Sequence, residues 1–324
     1  MTLPTFAKIF LFLPLLLPIM SCASLTASKE NEAVLASLKI LIPDVSESPQ
    51  DFADKQLTIA GLSQTFIDQI HKNYLGKNED WANEAIRIIE LNVFGFLAQS
   101  NYALHDTPLA HRKIKQYLKD HRSSFRDARK KFAVSSTVIA SLMWVETRHG
   151  KTMGTFPMPW VFYSLVLGSH PEFIKAMIAM VPEKLAKHNP KNLSLQEAQQ
   201  KVIERCKSKA DWATSELKAV YQIQIEKNFD PFKRKSSFAG AFGMAQFIPS
   251  SYLKFAVSGY RRKPDLFKHS DAVLSIANFL THYGWKPADS ETQIQALYNY
   301  NRSKDYGAII LKLAADVSAK STQN

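Results

Sequence analysis

Residues 135–150 read Ser135-Ser136-Thr137-Val138-Ile139-Ala140-Ser141-Leu142-Met143-Trp144-Val145-Glu146-Thr147-Arg148-His149-Gly150. The two serines offer an N-cap, Val138, Ile139, Leu142, Met143 and Val145 make a strongly apolar helix, and Gly150 can terminate it. Glu146 follows Met143, Leu142 and Ile139 at helical spacing, so it points with the apolar stripe. A carboxyl held against apolar side chains and partly cut off from water is destabilised when ionised, so its pKa rises and it can stay protonated near neutrality. That makes Glu146 a candidate general acid. The alternative is a buried ion pair with Arg148 or a more distant base, and helix geometry alone leaves the two readings open.

Outward from this helix, nearly every periodic segment beyond Gly61 has helical spacing. Trp81, Ala85, Ile88, Ile89, Val93 and Phe96 form one stripe; Ile114, Tyr117 and Leu118 form another. Ser194 and Glu197 make a capping box for a helix whose apolar face runs Leu195, Ala198, Val202 and Cys206, which reads Cys206 as a packed thiol. Ser270 opens a helix through Val273, Ile276, Ala277 and Leu280 that Gly284 closes, and a last one covers 306–317. Alternating β-branched runs are few. The expectation is an all-α protein with few or no strands.

The chain has 324 residues, 46% of them hydrophobic and 22% charged, which is enough for a substantial core and excludes disorder as the main state. Net charge is +12, from 41 Lys and Arg against 29 Asp and Glu, and favours a polyanionic partner: nucleic acid, an anionic membrane face or an acidic polysaccharide. Lys8 followed by the apolar run 9–20 and the small residues Ser21, Cys22 and Ala23 is an export-signal pattern. The run falls short of the ~20 residues a membrane-spanning helix needs, and contains Pro14 and Pro18. Ile19-Met20-Ser21-Cys22 reads as a lipobox in which Cys22 carries the lipid, while Ser21-Cys22-Ala23 also fits ordinary cleavage. Either way Cys206 has no intrachain disulfide partner in the mature chain.

Two further stretches carry chemistry. In 237–252, five small residues among 239–245 allow close approach by a ligand ring or by a neighbouring backbone, and Gln246 supplies an amide that matches an acetamido group or sugar hydroxyls. In 298–306, Tyr298, Tyr300 and Tyr306 combine an apolar face with a hydroxyl, and Asn301 can cap the helix that follows. No GxGxxG, P-loop, HExxH or CxxC pattern occurs, so nucleotide and metal chemistry have no motif behind them.

Together the three stretches resemble the membrane-bound lytic murein transglycosylase B family. Val145-Glu146-Thr147-Arg148-His149-Gly150 is similar to its Val-Glu-Thr-Arg-x-Gly signature, 237–252 to its Ser-aromatic-Ala-Gly-Ala block, and Tyr300-Asn301-x-Ser303-x-x-Tyr306 to its C-terminal segment. The resemblance covers about 125–317 with gaps. It implies a lysozyme-like helical domain at 125–320 with a helical insertion at about 170–207, preceded by a signal or lipobox (1–22), a tether and short helix (23–56, apolar at 34–42) and an accessory N-terminal helical region (57–124). It further implies that Glu146 is the single acid/base, that Ser237 holds its carboxyl, that Gln246 contacts the N-acetyl sugar, and that Tyr300, Asn301 and Tyr306 line the cleft. The implied reaction cleaves the β-1,4 bond between N-acetylmuramic acid and N-acetylglucosamine in peptidoglycan, leaving 1,6-anhydromuramoyl ends. No nucleic acid and no cofactor are implied; the implied location is the periplasm, with an outer-membrane lipid anchor on Cys22 or as a soluble mature form.

Two departures stand out beside the long spacer at 170–207. Family members often carry a calcium loop after the Ser-Ser-Tyr segment, but Ser258-Gly259-Tyr260-Arg261-Arg262-Lys263-Pro264-Asp265 has three adjacent cations and one carboxylate, so no metal is expected. Asn278-Phe279 replaces the common Asn-Tyr, removing a cleft hydroxyl. The competing readings are a muramidase that uses water as acceptor and a non-catalytic wall-binding lipoprotein.

Overall fold

In the computed structural model of the chain, which describes residues 45–226, 228–260 and 262–319, the stretch quoted above forms the helix Ser136–Thr147. Its burial is not confined to one stripe: every residue of 138–145 is buried, as a helix without a polar face requires. Ser135 is the N-cap residue, with its hydroxyl turned to that of Thr137 at 2.8 Å. The other end turns earlier than Gly150, because Arg148 and His149 already adopt φ of 52° and 58°. Such backbone is strained for residues with a Cβ. Here it is held by contacts: Arg148 lies over the Trp144 ring at 4.5 Å, and His149 stacks on Tyr117 at 3.9 Å and bonds the Ala140 carbonyl at 2.9 Å.

Around this central helix the fold is helical throughout, with thirteen α-helices among the described residues. Lys304–Ala319 and Pro108–Asp120 pack directly on it, and Arg122–Phe132 with His269–His282 closes another side. A second layer is built on Met158–Leu167, all ten residues of which are buried. Across it lies the 31-residue helix Leu195–Ile225, opened by the reciprocal Ser194–Glu197 capping box and continuous well past residue 207. Cys206 is buried inside this helix, and burial pushes its thiol up to about 12, the state of a packed rather than a reactive cysteine.

Strand structure among the described residues amounts to Phe156–Pro157 paired antiparallel with Lys235–Ser236, Phe156 opposite Ser236, plus a bridge between Phe242 and Phe247. The all-α reading holds. At the N-terminal side Ser48 caps the helix Pro49–Ile59 through the Asp51 amide. The apolar leader, Cys22 and the short helix expected around 34–42 lie outside the described residues. No helix of the described residues is long and apolar enough to cross a membrane.

The small-residue block is a tight loop and not a helix. Gly240 has φ of +77°, and a Cβ there would sit 2.1 Å from the Phe162 ring; at Gly243, φ +69°, it would sit 2.5 Å from Leu266 Cβ. The close approach that the small residues permit is therefore made by Phe162 and Leu266, from inside the protein. Gly240→Ala combines left-handed backbone with a ring clash and is expected to cost about 2–5 kcal/mol. The midpoint of denaturant unfolding measures it, and an unchanged midpoint would contradict the packing described here.

Candidate active site

The three chemistry-bearing stretches converge at the C-terminal end of the central helix. Thr147, wholly buried, joins the first to the second: its hydroxyl lies 3.3 Å from the Met143 and Met244 carbonyls and accepts the Gly150 amide at 2.9 Å. Tyr300, from the third stretch, donates its hydroxyl to the Ala245 carbonyl in the second. Tyr306 completes the convergence by donating its hydroxyl to Glu146 Oε1 at 2.5 Å.

Glu146 is thus a half-buried carboxyl with one hydroxyl on it. Burial raises its pKa to about 7, while the Tyr306 hydrogen bond, which favours the ionised form, pulls the other way. Its place one residue before the end of the helix adds to the upward push, because the carbonyl dipoles there disfavour negative charge. The ion pair with Arg148 left open by the sequence is not made; that guanidinium is held over Trp144. With Oε1 accepting from Tyr306, the acidic proton belongs on Oε2. Half protonated near neutrality, this group can give a proton and take one back.

The surroundings of Glu146 are aromatic. Tyr300 and Tyr306 stack at 6.3 Å with 13° between their planes, and Phe279 meets Tyr300 edge-on at 4.7 Å, an apolar contact where a hydroxyl was expected to be missing. Burial raises both tyrosine hydroxyls well above their ordinary pKa, so they remain donors. Tyr102 stands edge-on to Tyr306 at 5.7 Å, and its hydroxyl accepts from the Asn301 amide at 3.3 Å. Sequence reasoning missed Tyr102: it lies in a short 3-10 turn, Tyr102–His105, with no periodicity to mark it.

Two residues make contacts other than those implied by the resemblance or read from the sequence, and a third is part committed to its own loop. Ser237 Oγ accepts the amides of Ala239 and Ala241 at 3.3 and 3.2 Å and so braces the loop, while the hydrogen bond on Glu146 comes from Tyr306. Asn301 faces Tyr102 instead of capping the next helix, where Ser303 Oγ accepts the Tyr306 amide at 3.4 Å. Gln246, at φ 48°, binds its own loop through Nε2 on the Gly243 carbonyl at 2.9 Å, which leaves Oε1 without a protein partner among the described residues.

In the loop at 258–265, Arg262 donates to both oxygens of the fully buried Asp271 at 2.6 and 3.0 Å, with the Asp265 amide and the Ser258 hydroxyl on the same carboxylate. A carboxylate already saturated by a guanidinium, an amide and hydroxyls does not fit a calcium cage of six to eight free oxygens.

An all-helical fold around a buried apolar helix, with a raised-pKa carboxyl near its C-terminal end set among tyrosines, is the lysozyme-like class. Within that class the chain belongs to the family described as the transglycosylase SLT domain, whose model matches residues 50–295. The membrane-bound lytic murein transglycosylase B of Escherichia coli K12 is 37% identical over 83 residues, which is 25% of this chain and 23% of that protein. The matched segment is thus about a quarter of that curated relative. Among solved structures, the Escherichia coli lytic transglycosylase Slt35 in complex with calcium superposes with a TM-score of 0.58 at 18% identity, covering 84% of this chain and 93% of that one. Soluble lytic transglycosylase SltB1 of Pseudomonas aeruginosa gives 0.58 at 15% identity over 85% and 99%; SltB3 of the same organism, in complex with NAG-anhNAM-pentapeptide, gives 0.56 at 16% over 83% and 78%. At these identities the structural likeness speaks for the fold alone.

Because the Tyr306 hydroxyl is what holds the Glu146 pKa down, Tyr306→Phe is expected to move the alkaline limb of the activity profile to higher pH, as the neutral acid persists longer. A pH–rate profile of the variant measures this; a limb that stays in place or moves down would contradict the geometry.

Proposed function

We propose that this chain is a lytic transglycosylase of peptidoglycan, cleaving the β-1,4 bond between N-acetylmuramic acid and N-acetylglucosamine with Glu146 as acid and then base. The supporting observation is the state of that carboxyl: raised to about 7 by burial, bonded to Tyr306, and acted on by no second carboxylate among the described residues. A double displacement through a covalent intermediate needs a second carboxyl as nucleophile. Glu146 instead protonates the bridging oxygen through Oε2. The resulting carboxylate, steadied by Tyr306, then takes the proton of the muramoyl C6 hydroxyl as that oxygen closes on C1. The atoms balance without water, giving a 1,6-anhydro end and a free 4-hydroxyl.

Other residues have parts in this reading. Gln246 Oε1 is the acceptor for an acetamido N–H, and the part-exposed Tyr300 ring, backed by the buried Tyr306, offers apolar surface to the sugar. Asn301 and Tyr102 border the same wall, and Ser237 acts through the loop it braces. The net charge of +12 suits a wall bearing peptide carboxylates and lactyl groups. The family membership and the SltB3 complex with a peptidoglycan fragment agree with this substrate. The domain layout follows: a catalytic region at 125–320 with its helical insertion, and an accessory region at 57–124.

Glu146→Gln is nearly isosteric and removes only the titrating proton, so wall cleavage is expected to fall by about a thousandfold or more. The sign for stability is opposite. A carboxyl whose folded pKa exceeds its unfolded value stabilises the fold fully below the unfolded value and loses that contribution as pH rises towards 7, so the Gln variant is expected to melt above the parent at pH 8. Wall clearing by the variant at the parental rate would end the assignment. Mass analysis of the products decides the acceptor: muropeptides one water lighter than reducing ends mean the C6 hydroxyl, and reducing ends mean a muramidase.

The leader and Cys22 place the enzyme in the periplasm on the outer membrane in this proposal, Ala23 lacking the acidic character of an inner-membrane retention signal. Metabolic labelling with a radioactive fatty acid is expected to tag the parent and not Cys22→Ala. Equal labelling of both would remove the anchor.

A further inference from the structure

Away from Glu146, four titratable groups meet in one cluster. Asp106 receives Lys312 on Oδ2 and faces His111 Nε2 at 2.7 Å through Oδ1; Lys312 also donates to Asp316 at 2.9 Å, and His111 Nε2 lies 3.8 Å from Asp316. The ligand atoms of Asp106, His111 and Asp316 lie within 4.8 Å of one another, a spacing that could hold a metal ion, but the Lys312 ammonium already bridges both carboxylates. The arrangement is a salt clasp with its own internal cation.

What the clasp holds gives it a consequence. Asp106 is the residue directly after the turn Tyr102–His105, and Lys312 and Asp316 lie on Lys304–Ala319, the helix that also carries Tyr306. The turn has little packing of its own, with Leu104 69% exposed and no buried residue within it. Segments of that kind sit at the low end of local stability. The chain of contact is continuous: Lys312 and His111 on Asp106, Asp106 at the foot of the turn, Tyr102 from the turn against Tyr306, and Tyr306 on Glu146.

We propose that Asp106 is a positioning residue: clasped by Lys312 and His111, it seats Tyr102 against Tyr306 and so keeps the Tyr306 hydroxyl on Glu146. The proposal rests on the reading of Glu146 as the acid/base. Exposed ion pairs are weak individually, but here an ammonium and an imidazole share one carboxylate, and the effect is geometric. Releasing the turn frees Tyr306 to rotate off Oε1, which removes the hydrogen bond that favours the Glu146 carboxylate. The titratable groups facing the clasp are Asp106, His111, Lys312 and Asp316. Those facing Glu146 are Tyr306 and Tyr300, with Tyr102 next to Tyr306.

Asp106→Asn and Lys312→Ala, each in the full chain, test it with Lys312→Arg as the conservative control. Initial rates on purified sacculi are followed from pH 5 to pH 9, and thermal midpoints are measured in parallel. The expected result is a five- to twentyfold loss of kcat with KM nearly constant and an alkaline limb displaced to higher pH, as for Tyr306→Phe, while Lys312→Arg keeps both rate and profile. A loss of rate with the profile in place, or with a matching fall in melting temperature in both loss-of-charge variants, overturns the positioning role. So does a parental rate in both. Glu146→Gln separates the two readings: if it stays active the acid/base assignment has failed, and if it is inactive while the Asp106 and Lys312 variants behave as the parent, the clasp alone has failed.

Discussion

A carboxyl at the negative end of a helix with no polar face cannot ionise readily, and much of the molecule is arranged around that constraint. Burying Ser136–Thr147 on every side takes helices from both halves of the described chain, so the one carboxyl near its end is set among the tyrosines packed there. There the tyrosines do two opposed things. Their rings exclude water, which drives the Glu146 pKa up, and the hydroxyl of Tyr306 returns part of the lost solvation. Without the rings Glu146 would be an ordinary surface carboxylate; without the hydroxyl it would be an acid reluctant to become a base. The value near 7 is the balance of the two.

The abrupt end of that helix belongs to the same balance. Two residues with a Cβ in left-handed backbone, Arg148 and His149, are a local cost that must be offset by contacts elsewhere. What the turn accomplishes is to carry Arg148 onto the Trp144 ring, where its guanidinium is fixed. An adjacent guanidinium would lower the carboxyl's pKa and undo the effect of burial.

The parts of this arrangement that were legible in the sequence are those with a local signature. Helical spacing and apolar content announced the central helix, the Ser194–Glu197 box announced the long one, and three motifs announced Glu146, Gln246, Tyr300 and Tyr306. The illegible parts have partners far along the chain. Asn301 meets Tyr102 across 199 positions, and Lys312 meets Asp106 across 206, with nothing periodic to link them. Ser237 shows a third kind of difficulty: a hydroxyl has several uses, and whether it serves a loop or a carboxyl depends on distances that spacing does not encode. The small residues around Gly240 were legible as a close approach, but not as an approach by Phe162.

Charge was read from the sequence as a whole-molecule property, and the structure gives two of the cations a different use. Arg262 is locked on the buried Asp271 behind the loop that follows the 237–252 block, and Lys312 bridges Asp106 and Asp316 beside the turn of Tyr102. At the second of these a covalently attached cation stands where neighbouring carboxylates could otherwise recruit a dissolved ion. A bound divalent ion stabilises a fold only to the extent that its concentration exceeds its dissociation constant. A side chain carries its own effective concentration, set by the fold, and does not depend on the free concentration of a divalent ion. Its limits are those of one positive charge and fixed donor geometry: it satisfies a single carboxylate with a fork, as Arg262 does, or spans two with an ammonium, as Lys312 does. Loops tied in this way are held by groups the chain itself supplies.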